Sequence, residues 1–223
     1  KTLSPIIAET FVTQGKGAEL TYLTNGKILM AWDGWAGNRD IYARLIQIPE
    51  PPTLSPALQL LGETTQLNGI DNGAQINPST AALLDGQFVT VWSDRAGADG
   101  SYGGIFGQIY GSDMQAVSDP FQVNTITENF QAKPVVASAP NGRFMVIWNH
   151  FSLLKAQFYD AQGERDGEEF LVTSNSGGGS VWSDVEGNFW VRNSATLYKY
   201  TNAGEFVSEQ VFSDAFLVLS SSV

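Results

Sequence analysis

The stretch Asp85-Gly86-Gln87-Phe88-Val89-Thr90-Val91-Trp92 decides the fold, because variants of it occur four times along the 223 residues. Each copy begins with a two-residue turn that ends in glycine. An aromatic or aliphatic run follows, and it mostly ends in tryptophan. The other three turns are Asn25-Gly26, Asn141-Gly142 and Glu186-Gly187. Self-similarity at a regular spacing is the signature of a repeat architecture.

Each turn predicts a β-hairpin. Asn-Gly and Asp-Gly favour a type I′ turn, in which both central residues have positive φ. One strand precedes the turn, the aromatic run forms the second, and two more short strands follow in each copy. In the second copy these strands are predicted at 78–84, 88–92, 104–110 and 120–124. The fourth strands of the other copies are predicted at 57–61, 169–173 and 210–213.

The copies are roughly 45–60 residues apart, and four strands at that period are typical of a β-propeller blade. The sequence therefore predicts an all-β fold, a small β-propeller of about four four-stranded repeat units. The units are approximately 14–62, 63–125, 126–174 and 175–213, within a single repeat domain over 1–223. A β-sandwich of the same hairpins is the alternative. The ends, 1–13 and 214–223, are predicted either to pair and close the ring or to belong to a longer array from which this chain is excised.

Charge and composition exclude several classes of function. The 23 acidic and 12 basic residues give a net charge of −11, which argues against nucleic acid as a partner because phosphate contacts need clustered Lys and Arg. No apolar stretch approaches the roughly 18 residues of a membrane helix, so no membrane insertion is expected. The absence of cysteine excludes disulfides, zinc-thiolate sites and a cysteine nucleophile. These features fit a secreted or cell-surface protein.

The second copy carries the fullest form of the repeat between Pro78 and Thr125. It reads Pro-x-x-Ala…Asp-Gly-x-Phe-Val-x-Val-Trp…Gly-x-Ile-x-Gly-Gln-x-Tyr…Phe-Gln-Val-Asn-Thr. This pattern resembles tandem repeats of large secreted bacterial surface proteins, including calcium-associated ones. In its acidic, cysteine-free character the chain also resembles the extracellular water-stress proteins of cyanobacteria. The first resemblance is a structural signature that transfers no catalytic residue, and the second rests on composition and on no specific motif. The stretch 183–190 resembles the Asp-box of sialidases, but its Asp lies one place early and no Thr precedes Trp190.

The tryptophans divide into two groups. Trp32, Trp92 and Trp148 occupy one position of the repeat, which favours a packed layer between neighbouring sheets. Trp35 lies outside the pattern, in a turn-rich stretch that contains several polar side chains. An exposed indole with such neighbours is the usual composition of a sugar-binding platform, since the ring stacks on the apolar face of a sugar and the neighbours bond its hydroxyls. The predicted ligand-binding residues are Trp35, Asp33, Asn38, Arg39, Asp40 and Tyr102.

A metal site and a catalytic site are weaker expectations from the sequence. The Gly-rich loop 93–104 holds Asp94 and Asp99, and hard oxygen ligands on a flexible loop suit calcium. No catalytic residues are assigned, although glycoside cleavage needs only two carboxylates and the loops contain many. The single histidine, His150, is predicted to be a loop residue.

The predicted function is a non-catalytic extracellular carbohydrate-binding or adhesive matrix module, with a polysaccharide or glycan as its partner. No cofactor other than calcium is expected. One alternative is a glycoside hydrolase that uses loop carboxylates. Another is a structural, self-associating extracellular matrix protein of the stress or desiccation type.

Overall fold

The computed structural model describes residues 16–35, 38–47, 59–69, 73–101, 103–175 and 177–212. These residues form four sheets, each of four antiparallel strands that pair in chain order. The first blade contains β1 (Lys16–Tyr22), β2 (Lys27–Trp35), β3 (Arg39–Gln47) and β4 (Gln59–Gln66). The second contains β5 (Gln75–Ala82), β6 (Phe88–Asp94), β7 (Gly104–Tyr110) and β8 (Phe121–Gln122). The third contains β9 (Gln131–Ser138), β10 (Phe144–His150), β11 (Leu153–Tyr159) and β12 (Arg165–Thr173). The fourth contains β13 (Gly179–Ser183), β14 (Phe189–Asn193), β15 (Thr196–Tyr200) and β16 (Phe206–Val211). No helix in this part of the chain is long and apolar enough to cross a membrane.

The four sheets stack in series as the blades of a β-propeller. One hydrophobic cluster lies between the first and second blades, another between the second and third, and another between the third and fourth. The first strand of each blade contacts the first strand of the next, as β1 does with β5 and β9 does with β13. First strands therefore lie toward the centre of the stack. This arrangement confirms the propeller prediction over the sandwich alternative, because a sandwich has only two packed layers.

Burial on both faces explains the uniformly apolar second strands. In β6 every residue is buried. Phe88 and Trp92 pack toward the first blade, whereas Val89 and Val91 pack toward the third. Because successive side chains of a strand point to opposite faces, a strand covered on both sides loses the alternation of apolar and polar residues. None of the three clusters joins the first blade to the fourth within the described residues. The predicted pairing of ends 1–13 and 214–223 lies outside those residues.

The turn between the first two strands of a blade differs from the predicted type I′ at both Asn-Gly turns, Asn25-Gly26 and Asn141-Gly142. Only Asp85-Gly86 is of type I′, with φ of 55° and 76°. In the corresponding turn of the first blade only Gly26 has positive φ, 82°. Its N–H donates to the carbonyl of Leu23 at 3.0 Å, and the Leu23 N–H donates to Lys27 at 2.8 Å. The same pattern occurs at Gly142 and Gly187. These are three-residue loops, a type I turn followed by a left-handed glycine. The glycine takes the positive φ, so the residue before it stays in an ordinary conformation.

The fourth strands were the least accurately predicted elements. β4 begins at Gln59 and continues to Gln66 instead of ending at 61, and β8 contains only two residues. β16 begins at Phe206 and not at 210. A tight turn sets that start, because Thr201 N–H donates to Glu205 at 2.8 Å and Gly204 N–H donates back to Thr201 at 2.8 Å. Pairing with β15 therefore resumes directly after the turn.

The predicted tryptophan layer is confirmed for two of its three members. Trp92 and Trp148 are fully buried, each within the cluster that faces the preceding blade. Trp32 occupies the same repeat position but is only half-buried. It stacks on Tyr42 of its own sheet with ring centroids 6.3 Å apart. The same repeat position therefore carries very different amounts of buried surface in different blades.

The difference in burial between Trp92 and Trp32 predicts different losses of stability when each is truncated. We expect Trp92→Ala to lower the free energy of unfolding by about 3–5 kcal/mol, because it leaves a large cavity between two blades. Trp32→Ala should cost about half as much or less, since part of that indole already contacts water. Denaturant unfolding followed by circular dichroism measures both. Equal losses for the two variants would contradict the packing described here.

Candidate functional site

The predicted sugar platform lies where β2 ends and β3 begins. Trp35 is the last residue of β2 and is 62% exposed. Its strand partner is Arg39, the first residue of β3. Arg39 Nε and Nη2 both reach Oδ2 of Asp33, at 2.6 and 2.5 Å. Asp33 is fully buried, so the ion pair holds the guanidinium beside the exposed indole.

Gly34 allows the layer beneath this platform to pack closely. A Cβ at this position would lie 3.2 Å from the Tyr42 ring and 3.3 Å from Nε1 of Trp32. Contacts that short would force one of the rings to move. The absence of a side chain at Gly34 therefore lets the Trp32–Tyr42 stack support the strand end from which Trp35 projects.

The predicted members of the platform are not equally accessible. Asn38 is exposed, and Arg39 retains a quarter of its side-chain surface. Asp33 and Asp40 are buried, at 0% and 6% exposure, so neither is the exposed hydroxyl-binding acid that the sequence suggested. Tyr102 lies outside the described residues. The structure thus brings Trp35 and Arg39 together and keeps Asn38 at the same surface.

Asp40 belongs to a buried polar chain that joins the first two blades. Asn68 Nδ2 donates to Asp40 Oδ1 at 3.0 Å and to Gln75 Oε1 at 3.2 Å. Gln75 Nε2 then donates to Asp94 Oδ1 at 2.8 Å. Asn68 Oδ1 also accepts the N–H of Ile41 at 2.7 Å. Buried polar groups are normally hydrogen-bonded. Here Asp40 accepts a hydrogen bond from the side-chain amide of Asn68, and Asp94 accepts one from that of Gln75.

In the predicted calcium loop, too, the carboxylates accept hydrogen bonds from the protein. The second oxygen of Asp94 accepts the N–H of Ala98 at 2.9 Å. Asp99 Oδ1 accepts the N–H of Ser101 at 3.0 Å, and its Oδ2 faces Asn124 Nδ2 at 3.4 Å. Among the described residues no three acidic or histidine side chains group as metal ligands would. Donors from the protein thus surround the two carboxylates, and the arrangement is that of a closed hairpin loop.

The other acids and the histidine are also used in packing. Lys155 Nζ lies 2.6 Å from Glu169 Oε1, and both side chains are nearly buried. Burial alone would raise the pKa of Glu169, but the hydrogen bonds from Lys155 and from the Thr125 backbone outweigh it and lower that pKa. Asp166 pairs with Arg143 at 2.6 Å. His150 is not a loop residue, because it ends β10 and is only 7% exposed.

Glu19 is a carboxylate that the sequence gave no reason to select. It lies on β1, and Oε2 accepts the N–H of Thr80 on β5 at 2.9 Å, while Ser79 Oγ lies 3.4 Å from Oε1. Burial raises the pKa of Glu19 to about 7, and the two hydrogen bonds only partly oppose that rise. It is therefore a protonatable acid between the first strands of two blades. Only the contact between blades reveals it, since its neighbours are about sixty residues away in the chain.

Two further polar residues on the first strands have unusual backbones. Asn77 and Lys133 have φ of 54° and 55° and are exposed. Each precedes a proline, Pro78 or Pro134, although the residue before proline normally avoids helical conformations. A left-handed non-glycine residue costs about 1–3 kcal/mol and is often found at functional sites. These two side chains therefore add to the candidate residues on the strands nearest the centre of the stack.

The stretch that resembles an Asp-box forms a self-contained turn. Asp184 Oδ1 accepts the N–H groups of Glu186 and Asn188, and Oδ2 accepts Nε1–H of Trp190 at 3.1 Å. The bond from Trp190, together with those from Asn188 and the backbone, lowers the pKa of Asp184 to about 2. The acid is therefore ionised at any ordinary pH, and it fixes the indole of Trp190.

Solved structures of similar fold include a glycoside hydrolase, a protein of unknown function and a β-propeller. A GH93 α-L-arabinofuranosidase of Fusarium graminearum, described in complex with arabinobiose, has a TM-score of 0.56 at 11% identity, over 83% of this chain and 59% of that one. A protein of unknown function from Dyadobacter fermentans has a TM-score of 0.59 at 11% identity, over 89% and 69%. The Dos1 propeller has a TM-score of 0.55 at 12% identity, over 88% and 48%.

At these identities the likeness bears on the fold alone. The chain spans 59% of the arabinofuranosidase that it matches. No known family model matches the sequence. No curated protein matches it either.

The raised pKa of Glu19 makes stability depend on pH in a defined direction. The folded state holds a proton that the unfolded chain loses near its ordinary pKa of 4.5. The stability contributed by the neutral carboxyl is therefore complete below that pH and is lost as pH rises through about 7. After allowance for partial exposure, we expect this group to lower the free energy of unfolding by about 2 kcal/mol between pH 5 and pH 8.

Glu19→Gln tests this expectation, because glutamine mimics the neutral acid. The variant should match the wild type near pH 5 and be more stable at pH 8, as measured by urea unfolding at both values. Glu63→Gln, an exposed acid on β4, is the matched control and should leave the difference between the two pH values unchanged. An unaltered pH dependence in Glu19→Gln would show that this carboxyl is ionised throughout.

Proposed function

We propose that this protein is a carbohydrate-directed β-propeller that recognises a glycan at the Trp35 end of its first blade. The observation that carries the proposal is the 62% exposure of Trp35 beside a guanidinium fixed by a buried acid. A large aromatic side chain exposed at a strand end is unfavourable in water unless something covers it. A sugar ring offers a flat apolar face of suitable size, with hydroxyls around its edge.

The polar neighbours suit the edge of such a ring. Arg39 has its charge compensated by Asp33, and its remaining N–H groups are donors for sugar oxygens. Asn38 is an exposed amide at the same surface. A paired guanidinium is already ordered, so little side-chain entropy is lost when a ligand binds. Recognition would thus combine stacking on Trp35 with hydrogen bonds from the start of β3.

Hydrolysis of a glycan is the second candidate, and the similarity of fold to a glycoside hydrolase supports it. The arabinofuranosidase of similar fold acts on a carbohydrate, and many functions are supported by a shared propeller scaffold. Glu19, with its pKa near 7, has the property required of a general acid in glycoside cleavage. Cleavage also needs a second carboxylate. Of the acids discussed above, Asp33, Asp40 and Glu169 are held in structural contacts.

Location and assembly complete the proposal. An acidic, cysteine-free, glycan-directed protein fits a secreted or cell-surface setting, where several copies of a weak site give avidity. Self-association into an extracellular matrix is compatible with the same surface and remains part of the proposal. Resemblance to secreted bacterial repeat proteins, on the Pro78–Thr125 pattern, supports this setting.

Truncation of the platform tests recognition. We expect Trp35→Ala to weaken binding to a responsive neutral glycan on a glycan array by about tenfold, because the stacking surface is removed. Tyr22→Ala is the matched control, since Tyr22 is 65% exposed on the same blade, near the turn that begins β2. Equal binding by wild type and Trp35→Ala would reject this site, and an unresponsive array would reject glycan recognition.

A separate assay decides between binding and cleavage. Release of nitrophenol from nitrophenyl α-L-arabinofuranoside and from other nitrophenyl glycosides is measured from pH 4 to pH 9. Turnover that disappears in Glu19→Gln while the fold is retained would establish hydrolysis through that acid. Turnover that persists in Glu19→Gln would place the acid elsewhere. Binding without turnover at any pH would leave recognition as the function.

A further inference from the structure

The outer face of the fourth blade, turned away from the third, has an unusual composition. Trp182, Trp190 and Lys199 lie side by side across β13, β14 and β15 as direct strand partners. Arg192 and Leu197 form the next row. Directly paired residues project from the same face of a sheet. The side chains between them, such as Val181 and Val191, point the other way into the core shared with the third blade.

The equivalent positions of the other blades carry apolar residues that are neither aromatic nor charged. Three residues after the turn glycine, the first three blades have Leu29, Val89 and Met145, whereas the fourth has Trp190. Five residues after it they have Ala31, Val91 and Ile147, whereas the fourth has Arg192. All six of these apolar side chains are fully buried against the next blade. The outer face of the fourth blade therefore replaces a packing surface with an indole and a guanidinium.

The aromatic side chains on this face are held in place. The Trp190 indole is anchored by Nε1–H to Asp184 Oδ2 at 3.1 Å. Lys199 Nζ lies 4.8 Å from the centroid of the same ring. A cation above an indole is attracted to it, and the attraction keeps the ammonium at the face of the sheet. Trp182, directly opposite Trp190 on the neighbouring strand, is 41% exposed.

The charged side chains in these rows are positive, whereas the whole chain is negative. The protein has a net charge of −11, yet the two charged side chains in these rows are Arg192 and Lys199. Asp184, an acid that contacts this face, is already bonded to Trp190 and Asn188. Arg192 is exposed. It is the diagonal neighbour of Trp182 on the adjacent strand, and the Cα atoms of such neighbours are about 7–8 Å apart. The face therefore presents an indole next to two cations.

We propose that the outer face of the fourth blade binds an acidic polysaccharide, with a uronate ring stacked on Trp182 and its carboxylate on Arg192 and Lys199. Trp182 and Arg192 are diagonal neighbours on one face of the sheet, so one sugar ring with its carboxylate can contact both long side chains. Arg binds a carboxylate with two parallel N–H bonds. The inference rests on the proposed carbohydrate function for its ligand class, but it uses a surface separate from Trp35.

Affinity electrophoresis in gels that contain polygalacturonate tests the proposal with the intact chain. Fully methyl-esterified polygalacturonate, which has the same sugar backbone without the charge, is the matched ligand. The wild type should be retarded by the acid form and much less by the ester, and added salt should reduce the retardation. Trp182→Ala and Arg192→Gln should each raise the dissociation constant about tenfold. Leu20→Ala, a 52% exposed apolar residue on the first blade, is the matched control and should have no effect.

The outcomes separate this proposal from the one on Trp35. Retardation by polygalacturonate that is unchanged in Trp35→Ala but lost in Trp182→Ala supports the second site. If the wild type is not retarded, or if Trp182→Ala and Arg192→Gln behave like the wild type, the proposal is wrong, and neutral glycan binding through Trp35 is unaffected by that result. If light scattering shows that the wild type self-associates and Trp182→Ala does not, without any ligand effect, the face is an interface between copies.

Discussion

Burial of the second strand of a blade between two neighbouring sheets is the constraint on which the rest of this structure depends. Phe88, Trp92, Phe144 and Trp148 face the preceding blade, while Val89, Val91, Met145 and Ile147 face the following one. A single sheet of this kind cannot bury both faces by itself, so each blade requires its neighbours. The rest of the architecture follows, because sheets that must be covered on both sides stack in series. Loops then project from the two ends of the stack.

The same constraint explains what the sequence could and could not predict. Turn glycines and apolar runs are local signals, and they located β6 and β7, the second and third strands of the second blade, within two residues. The fourth strands pair on one side only and carry mixed side chains, so β8 and β16 had no strong pattern to mark their bounds. The predicted turn type was also wrong at the two Asn-Gly turns. A dipeptide does not show whether the loop around it contains two or three residues, and that number decides which residue has positive φ.

The candidate site was harder to predict because its chemistry depends on contacts between blades. Asp40 and Asp94 looked like loop acids available to a sugar or a cation, but Asn68 and Gln75 connect them into one buried chain. Glu19 had no feature in the sequence to select it, and only its contact with the backbone of Thr80 in the next blade makes it a half-buried acid. Trp35 was identifiable because it breaks the repeat. A residue that departs from a repeated pattern is free of the packing role that fixes the others.

That reasoning extends to whole positions of the repeat. Each blade face is either shared with a neighbour or open, and a shared face accepts only side chains that interlock with those opposite. Leu29, Val89 and Met145 meet this requirement. Their counterpart Trp190 has different surroundings: its indole is fixed by Asp184 and lies under the ammonium of Lys199, and the exposed Arg192 follows on the same strand. At a position that does not have to pack against a neighbouring blade, the side chain can be selected for its ability to bind a ligand. In a propeller of this kind, functional surfaces are therefore to be sought on open blade faces as well as on loops. Residues at both places do not have to pack against a neighbouring blade.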